Sequence, residues 1–144
     1  MTSTRGIRRP APRPCEFCPY RLDAPSGLWD ASEYDKLPDY DNETGAQPFT
    51  VFLCHQQDGR VCAGWAGCHD GLHLLGLRVA VSIGEMSETE RDATIAYQSP
   101  VPLFATGAEA AAHGMVDIAA PGLVARRAAA KLRRLIARRA ERAT

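Results

Sequence analysis

Residues 15–21 of the chain read Cys15-Glu16-Phe17-Cys18-Pro19-Tyr20-Arg21. Two cysteines separated by two residues form a tight turn that brings both sulfurs to one side, as a metal ion requires of its thiolate ligands. The chain of 144 residues has three further cysteines, Cys54, Cys62 and Cys68. Because an odd total argues against a closed set of disulfides, the sequence predicts metal binding.

Cys54 and Cys62 are predicted to complete the metal site. Residues 48–54 are rich in β-branched and aromatic side chains, which is typical of a strand that ends at Cys54. A turn through Asp58-Gly59 and a return segment at 61–65 bring Cys62 back beside it. We therefore expect a short β-hairpin and a tetrahedral ligand set. The predicted metal ligands are Cys15, Cys18, Cys54 and Cys62.

Two other side chains near these cysteines are candidates for the site. His55 directly follows Cys54 and is either an alternate ligand or a hydrogen-bonding neighbour of the ligands. Cys68 either replaces one ligand or is a small buried residue of the core. His69 and His73 are also close in sequence, so a set of three cysteines and one histidine stays an alternative.

The chemistry of the ligands favours Zn²⁺ as the metal. Zinc is the usual partner of four cysteines, and a structural zinc ion stabilises a short, loop-rich segment that lacks a large core. A [4Fe-4S] cluster is the alternative, because such clusters accept wider cysteine spacings and proline often follows one of their cysteines, as Pro19 follows Cys18 here.

The sequence predicts no catalytic site. Prolines flank the Cys15 and Cys18 turn, unlike the strand-to-helix setting of a thioredoxin-like pair. Cys54 and His55 point to opposite faces if they lie on a strand, which disfavours a nucleophile–base pair. An iron–sulfur or thiol-based redox sensor or enzyme is the alternative to a binding or regulatory protein.

Charge is divided unevenly along the chain, although the formal net charge is zero. Residues 1–15 carry four arginines and no acid, residues 16–117 carry five basic and sixteen acidic side chains, and residues 118–144 carry eight basic and one acidic. Such blocks are typical of interaction segments. The basic end is expected to contact a nucleic acid or an acidic protein partner, or else to pack on the acidic body.

The basic end is predicted to be the longest helix of the chain, over residues 122–142, with Pro121 before it. Its expected apolar stripe is Val124, Ala128, Leu132, Leu135 and Ile136. Its expected basic stripe, the candidate nucleic-acid or partner surface, is Arg127, Lys131, Arg134, Arg138 and Arg142.

The chain is expected to be an α+β protein with three parts. Residues 1–14 form a flexible arm rich in arginine and proline, residues 15–84 the cysteine-cluster region with the hairpin, and residues 85–144 a helical region. Leu72 to Ile83 is predicted as a helix. Ser87 with Glu90, and Thr106 with a glutamate three residues later, fit capping boxes at two further helix starts.

Composition narrows the place where the protein acts. No run of about 18 apolar residues is present, so no membrane-spanning helix and no membrane partner are expected. The first fourteen residues contain four arginines and no apolar block, unlike a secretory signal. We expect a cytoplasmic protein, and the sequence leaves its oligomeric state open.

The motifs together resemble a family of small proteins of unknown function that occur in actinobacteria, other bacteria and phages. The resemblance lies in C-x2-C followed by Pro19, Tyr20 and Arg21, in Cys54-His55, in Cys62-Ala63-Gly64-Trp65, and in the segment 73–78, and it covers about residues 14–80. It implies that positions 15, 18, 54 and 62 are the four family cysteines, with His55 and Arg21 part of the motif. Cys68 has no counterpart in that pattern, and the family implies no activity.

Overall fold

Residues 6–143, the part that this computed structural model describes, fold mainly into α-helices joined by loops. The six α-helices of this part are α1 (Ala31–Asp35), α2 (Ala63–Cys68), α3 (Leu75–Ser82), α4 (Glu88–Ile95), α5 (Gly107–Met115) and α6 (Leu123–Ala143). Short 3₁₀-helices lie at Pro38–Asp41, Thr44–Ala46 and Gly71–His73. A search of the described helices found none with the length and apolar character needed to cross a membrane.

The predicted α+β class with a short β-hairpin is wrong, because the described residues contain no β-sheet. Leu53 and Val61 pair only in an isolated antiparallel bridge. The backbone N–H of Cys54 donates to the carbonyl of Arg60 at 2.9 Å, which closes the loop between them. The segment therefore brings its two ends together as expected, but as a loop rather than as two strands.

The predicted return strand at 61–65 is replaced by the start of α2. Cys62, Trp65 and Ala66 are all buried, and their spacing of three and four residues suits one face of a helix rather than of a strand. Gly64 lies inside α2, and a Cβ at this position would collide with the Cys18 sulfur and the Tyr20 side chain. Close packing onto the cysteine turn thus explains both the helix and its glycine.

The two capping boxes are confirmed. Ser87 Oγ accepts a hydrogen bond from the backbone N–H of Glu90 at 3.1 Å, and α4 starts between them. Thr106 Oγ1 accepts from the N–H of Glu109 at 3.0 Å at the start of α5. The Asp41 carboxylate also accepts from the first two N–H groups of α5 at 2.8 Å each, so distant residues help to fix this helix start.

The helix predicted over residues 72–83 is shorter in the structure, at Leu75–Ser82. The 3₁₀-helix Gly71–His73 precedes it, and Asp70 accepts from the N–H of Leu72 there at 3.1 Å. The buried side chain of Gln47 accepts from the N–H of Leu75 at 3.0 Å, which satisfies an otherwise unpaired donor at the start of α3. Contacts distant in sequence therefore set this boundary.

Aromatic side chains dominate the main core between the cysteine-bearing segments and the helices. Tyr40 packs its ring edge-on against Trp65 at 5.4 Å and against Phe52 at 5.8 Å, measured between ring centroids. Tyr20 lies edge-on to the same phenylalanine at 6.1 Å. Leu77 of α3 is fully buried in the same cluster, so the cysteine region and the helices share one core.

Residues 6–14, which were expected to belong to a flexible arm, lie along the body of the protein. The N–H of Ile7 donates to the carbonyl of Glu85 at 2.7 Å. Arg9 forms an ion pair with Glu90 of α4 at 2.6 Å. The first five residues of the expected arm lie outside the described residues.

Helix α6 buries a slightly different face from the predicted one. Leu132 is 5% exposed and packs in a small second core cluster with Phe17 and Leu28, as its apolar stripe predicted. Val124 is 71% exposed and was placed on the wrong face, whereas its neighbour Ala125 is buried. The face begins one residue later because tertiary contacts with residues 17 and 28 orient the helix.

Candidate metal centre

The Cys15–Cys18 turn lies on the surface of the main core. The N–H of Cys18 donates to the carbonyl of Cys15 at 3.0 Å, which closes the turn. The carbonyl of Phe17, between them, accepts from Trp29 Nε1 at 2.9 Å. Cys18 is buried and Cys15 is partly exposed. The hydrogen bond within the turn and the one from Trp29 thus both help to fix its shape.

The second pair of cysteines approaches the turn from the loop at 54–62. The N–H of Cys62 donates to the carbonyl of Phe52 at 2.8 Å, so Cys54 and Cys62 lie at the two ends of a closed loop. Cys62 is buried at the start of α2, and Cys54 is partly exposed. The structure therefore brings together cysteines from two distant stretches of the chain.

The four predicted ligands line one small cavity. The sulfurs of Cys18 and Cys62 are 3.8 Å apart, and the thiols of Cys15 and Cys54 form a second hydrogen-bonded pair. The cavity has a volume of about 10 Å³, which is room for one water-sized particle. Within residues 6–143, no group of three or more His, Cys, Asp or Glu side chains is already arranged as a metal site. The sulfurs stand as two close pairs around a common cavity.

Each pair holds one thiol of raised and one of lowered pKa. The hydrogen bond with Cys15 lowers the pKa of Cys54 to about 6, and the same hydrogen bond raises the pKa of Cys15. The hydrogen bond with Cys62 lowers the pKa of Cys18, and the pKa of Cys62 is raised well above its ordinary value. In each pair the shared hydrogen bond therefore favours ionisation of one thiol and opposes ionisation of the other.

Backbone N–H groups are directed at the sulfurs that favour the thiolate form. The N–H of Gln57 donates to Cys54 Sγ at 3.4 Å, and the backbone of Gln56 also lowers the pKa of that thiol, after the larger effect of Cys15. The backbone of Tyr20 similarly contributes to the lowered pKa of Cys18, after the effect of Cys62. Such donors stabilise negative charge on sulfur, as metal-bound thiolates require.

His55 lines the same cavity as the four cysteines. Its ring lies against Trp29, with centroids 4.4 Å apart, and its Nε2 is 2.6 Å from Glu33 Oε1. Burial opposes ionisation of Glu33, but hydrogen bonds from Lys36 and from His55 lower the pKa of that carboxyl. The ring is thus oriented by a carboxylate while it borders the cysteine cavity.

Cys68 is not brought to the cavity of the other four cysteines. It lines a separate pocket with Asp41 and His73, and burial raises the pKa of its thiol to about 12. His69 lines that pocket too, and its two ring nitrogens contact the Trp65 carbonyl at 2.8 Å and Asp41 at 2.9 Å. These histidines therefore hydrogen-bond within another part of the fold.

The predicted basic stripe lies on the solvent side of α6. Lys131 forms an ion pair with Glu16 at 2.9 Å. The other four members are exposed, and none has an ion pair with another residue in the part of the chain that the structure describes. These four are Arg127, Arg134, Arg138 and Arg142.

Arg139, which is not among the predicted site residues, contacts the loop that follows Cys54. Its guanidinium donates to the carbonyl of His55 at 2.7 Å and to the carbonyl of Gln56 at 2.9 Å. It also forms an ion pair with Asp58 at 3.0 Å. Arg139 follows Leu132 by seven residues and therefore lies on the same buried face of α6. This spacing could have indicated from the sequence that Arg139 contacts the body of the protein.

The fold and the site define a small, mainly helical protein with four cysteines clustered at one cavity. The chain belongs to the family of unknown function DUF6283, which matches residues 10–127. No curated protein matches the chain, and no solved structure does. The match extends well beyond the resemblance at residues 14–80, whereas the motif pattern and the distribution of that family among organisms stay predictions.

Proposed function

We propose that this is a cytoplasmic metal-binding protein in which Cys15, Cys18, Cys54 and Cys62 hold one Zn²⁺ ion. The observation that carries the proposal is the 3.8 Å separation of the Cys18 and Cys62 sulfurs beside a cavity that the other two cysteines also line. Two thiolates at about 2.3 Å from a tetrahedral zinc ion are about 3.8 Å apart. One pair thus already has the separation of two zinc ligands.

The cavity favours zinc over an iron–sulfur cluster. Its volume of about 10 Å³ suits a single ion, whereas the cysteines of a [4Fe-4S] cluster bind separate iron atoms around a larger body. The bound ion would supply a structural link between the turn at 15–18 and the loop at 54–62, which have no sheet to join them.

The exposed arginines of α6 support a role in binding an acidic partner, and we propose that this partner is a nucleic acid. Four arginines on one face of α6 form no ion pair within residues 6–143, and such arginines are suited to contact phosphates. A groove of about 420 Å³ between α6 and the loop at 27–31 adds a concave surface, lined by Arg126, Arg133 and Trp29. An aromatic ring with flanking arginines is typical of surfaces that bind single strands.

The metal proposal is tested by metal analysis of protein purified without oxygen or chelators. We expect about one zinc per chain and no colour. A brown protein that contains iron would instead favour the cluster, and protein that binds neither metal would contradict the four-cysteine site.

The partner proposal is tested by titrating a labelled single-stranded oligonucleotide at several salt concentrations. We expect the triple variant Arg134→Ala, Arg138→Ala, Arg142→Ala to bind more weakly and to lose about 0.7 units of salt slope per phosphate contact removed, the value for single strands. Lys36→Ala and Arg91→Ala, which remove charge elsewhere, serve as controls. Binding that is independent of salt, or selective binding of an acidic peptide, would contradict the proposal.

A thiol-based redox sensor is the second candidate function. The 3.8 Å separation of the Cys18 and Cys62 sulfurs leaves a short movement to a disulfide, which requires about 2.05 Å. Mass measurement after mild peroxide treatment of the metal-free protein checks this: a loss of two hydrogens that maps to this pair supports it.

A further inference from the structure

Helix α6 contacts both stretches of chain that carry the cysteines. Phe17, between the two cysteines of the turn, is buried against Leu132 of α6. Lys131, one residue earlier on α6, forms its ion pair with Glu16 of the same turn. Arg139, two turns later, contacts the loop that follows Cys54. The C-terminal helix thus packs across the cysteine site rather than away from it.

The contacts of Arg139 fall on two particular peptide units. Its guanidinium binds the carbonyl oxygens of His55 and Gln56 at 2.7 and 2.9 Å. The N–H groups of these same peptide units belong to Gln56 and Gln57. The N–H of Gln57 donates to the sulfur of Cys54 at 3.4 Å, and the backbone of Gln56 lowers the pKa of the same thiol. In a trans peptide the C=O and N–H bonds point in opposite directions. Arg139 therefore holds both peptide planes from the side opposite the sulfur.

We propose that Arg139 is a positioning residue of the metal site: it orients the peptide N–H groups of Gln56 and Gln57 toward Cys54 and so holds that sulfur ready to bind the ion. The inference rests on the proposed metal site and adds a residue that touches no ligand atom. Metal binding and docking of α6 then strengthen each other, because a coupling between two sites is reciprocal.

Arg139 lies outside the part of the chain that the family matches. The family match ends at residue 127, and Arg139 lies twelve residues further along α6. The side chain that positions Cys54 therefore comes from outside the matched part of the chain.

The experiment compares zinc affinity of the full-length wild type with that of Arg139→Ala by competition with a chromophoric chelator. We expect Arg139→Ala to bind zinc roughly 10-fold more weakly, the lower end of the effect of removing a group that orients a metal ligand. Arg138→Ala is the matched control, because Arg138 is an exposed arginine of the same helix without an ion pair in the described residues. It should bind zinc as the wild type does.

Two further measurements separate positioning from general stabilisation. Arg139→Lys keeps the charge but not the planar fork that reaches both carbonyls, so we expect it to recover less than half of the lost affinity on a logarithmic scale. The melting temperature should fall more in the zinc-loaded than in the zinc-free reduced Arg139→Ala protein. Equal falls in both forms would overturn the proposal and leave Arg139 a structural residue only.

These measurements distinguish failure of the proposed metal site from failure of the positioning role of Arg139. If the wild type binds no metal, the proposed function fails and this inference with it. If the wild type binds zinc and Arg139→Ala binds it within about twofold of Arg138→Ala, only the positioning role of Arg139 is overturned.

Discussion

The cysteine region at residues 15–68 and helix α6 reach their structures by opposite routes. The cysteine region has helices of five and six residues, no sheet and many contacts between distant residues. Helix α6 has 21 residues with backbone hydrogen bonds that are local along the chain. The first region therefore depends on contacts between distant residues, whereas the second depends on local sequence and needs the rest of the protein only to orient it.

Removing a proposed ligand tests the dependence of the cysteine region on its centre, and we expect the largest effect here. Cys62→Ser, like Cys15→Ser, should abolish metal binding and partly unfold residues 15–80, because the free energy of a structural zinc site, about 10–16 kcal/mol in small peptides, is folding free energy. Metal content and amide hydrogen exchange measure the two effects. Cys68→Ser should keep its metal, and unchanged metal content in the first two variants would refute the ligand set.

Shortening the buried side chain of Leu132 tests whether α6 depends on the cysteine region for its orientation. Leu132→Ala should lower the free energy of unfolding by about 2–3 kcal/mol, because the side chain fills the cluster with Phe17 and Leu28. Val124→Ala, on the exposed side, should change it by less than about 0.5 kcal/mol. Urea titration gives both values, and a similar cost for both would mean that α6 is not packed through this face.

A smaller change tests the close packing of α2 on the cysteine turn. Gly64→Ala should destabilise the protein by about 1–3 kcal/mol, since the added methyl group meets the Cys18 sulfur and the Tyr20 ring. Gly45→Ala is the control, because a Cβ there has nothing within 4 Å. Thermal unfolding compares the variants. An increase in stability for Gly64→Ala would show that helix propensity outweighs the contact.

The smallest effect on stability is expected from removing the ion pair between Arg9 of the N-terminal segment and Glu90. The hydrogen bond from Arg9 lowers the pKa of Glu90 from 4.5 to about 2, so the pair stabilises the fold above pH 4.5 and this contribution is lost as the pH falls toward 2. In Glu90→Gln this part of the pH dependence should disappear. Melting temperatures between pH 2 and 6 measure it, with Glu88→Gln on the same helix as the control. Identical profiles for the two variants would contradict the assignment.

The features that were predicted correctly from the sequence are those that depend on residues close together in the chain. The capping boxes at Ser87 and Thr106 need only residues three positions apart, and both are present. The length of α6 follows from a long run of good helix formers after Pro121. The prediction of a β-hairpin was wrong because the β-forming residues at 48–54 pair with one short segment only. Burial of Trp65 favoured a helix next to that segment instead.

For the candidate site, the cysteine spacing was enough to select four side chains that line one cavity. It did not reveal Arg139, because nothing local ties a residue of α6 to a loop more than eighty positions away. Nor did it separate Cys68 from the others, since only the direction of α2 sends that thiol to a different pocket.

Three properties could be read from the sequence alone: the capping residues that start α4 and α5, the available cysteines and the division of charge. These properties depend on residue type and on neighbours within one or two turns. Only the tertiary structure decided that residues 52–62 form a closed loop rather than a hairpin, and which face of α6 turns inward. It also decided that an arginine near the end of α6 supports the peptide units beside Cys54. These outcomes depend on packing among residues far apart in the chain, which no local pattern encodes.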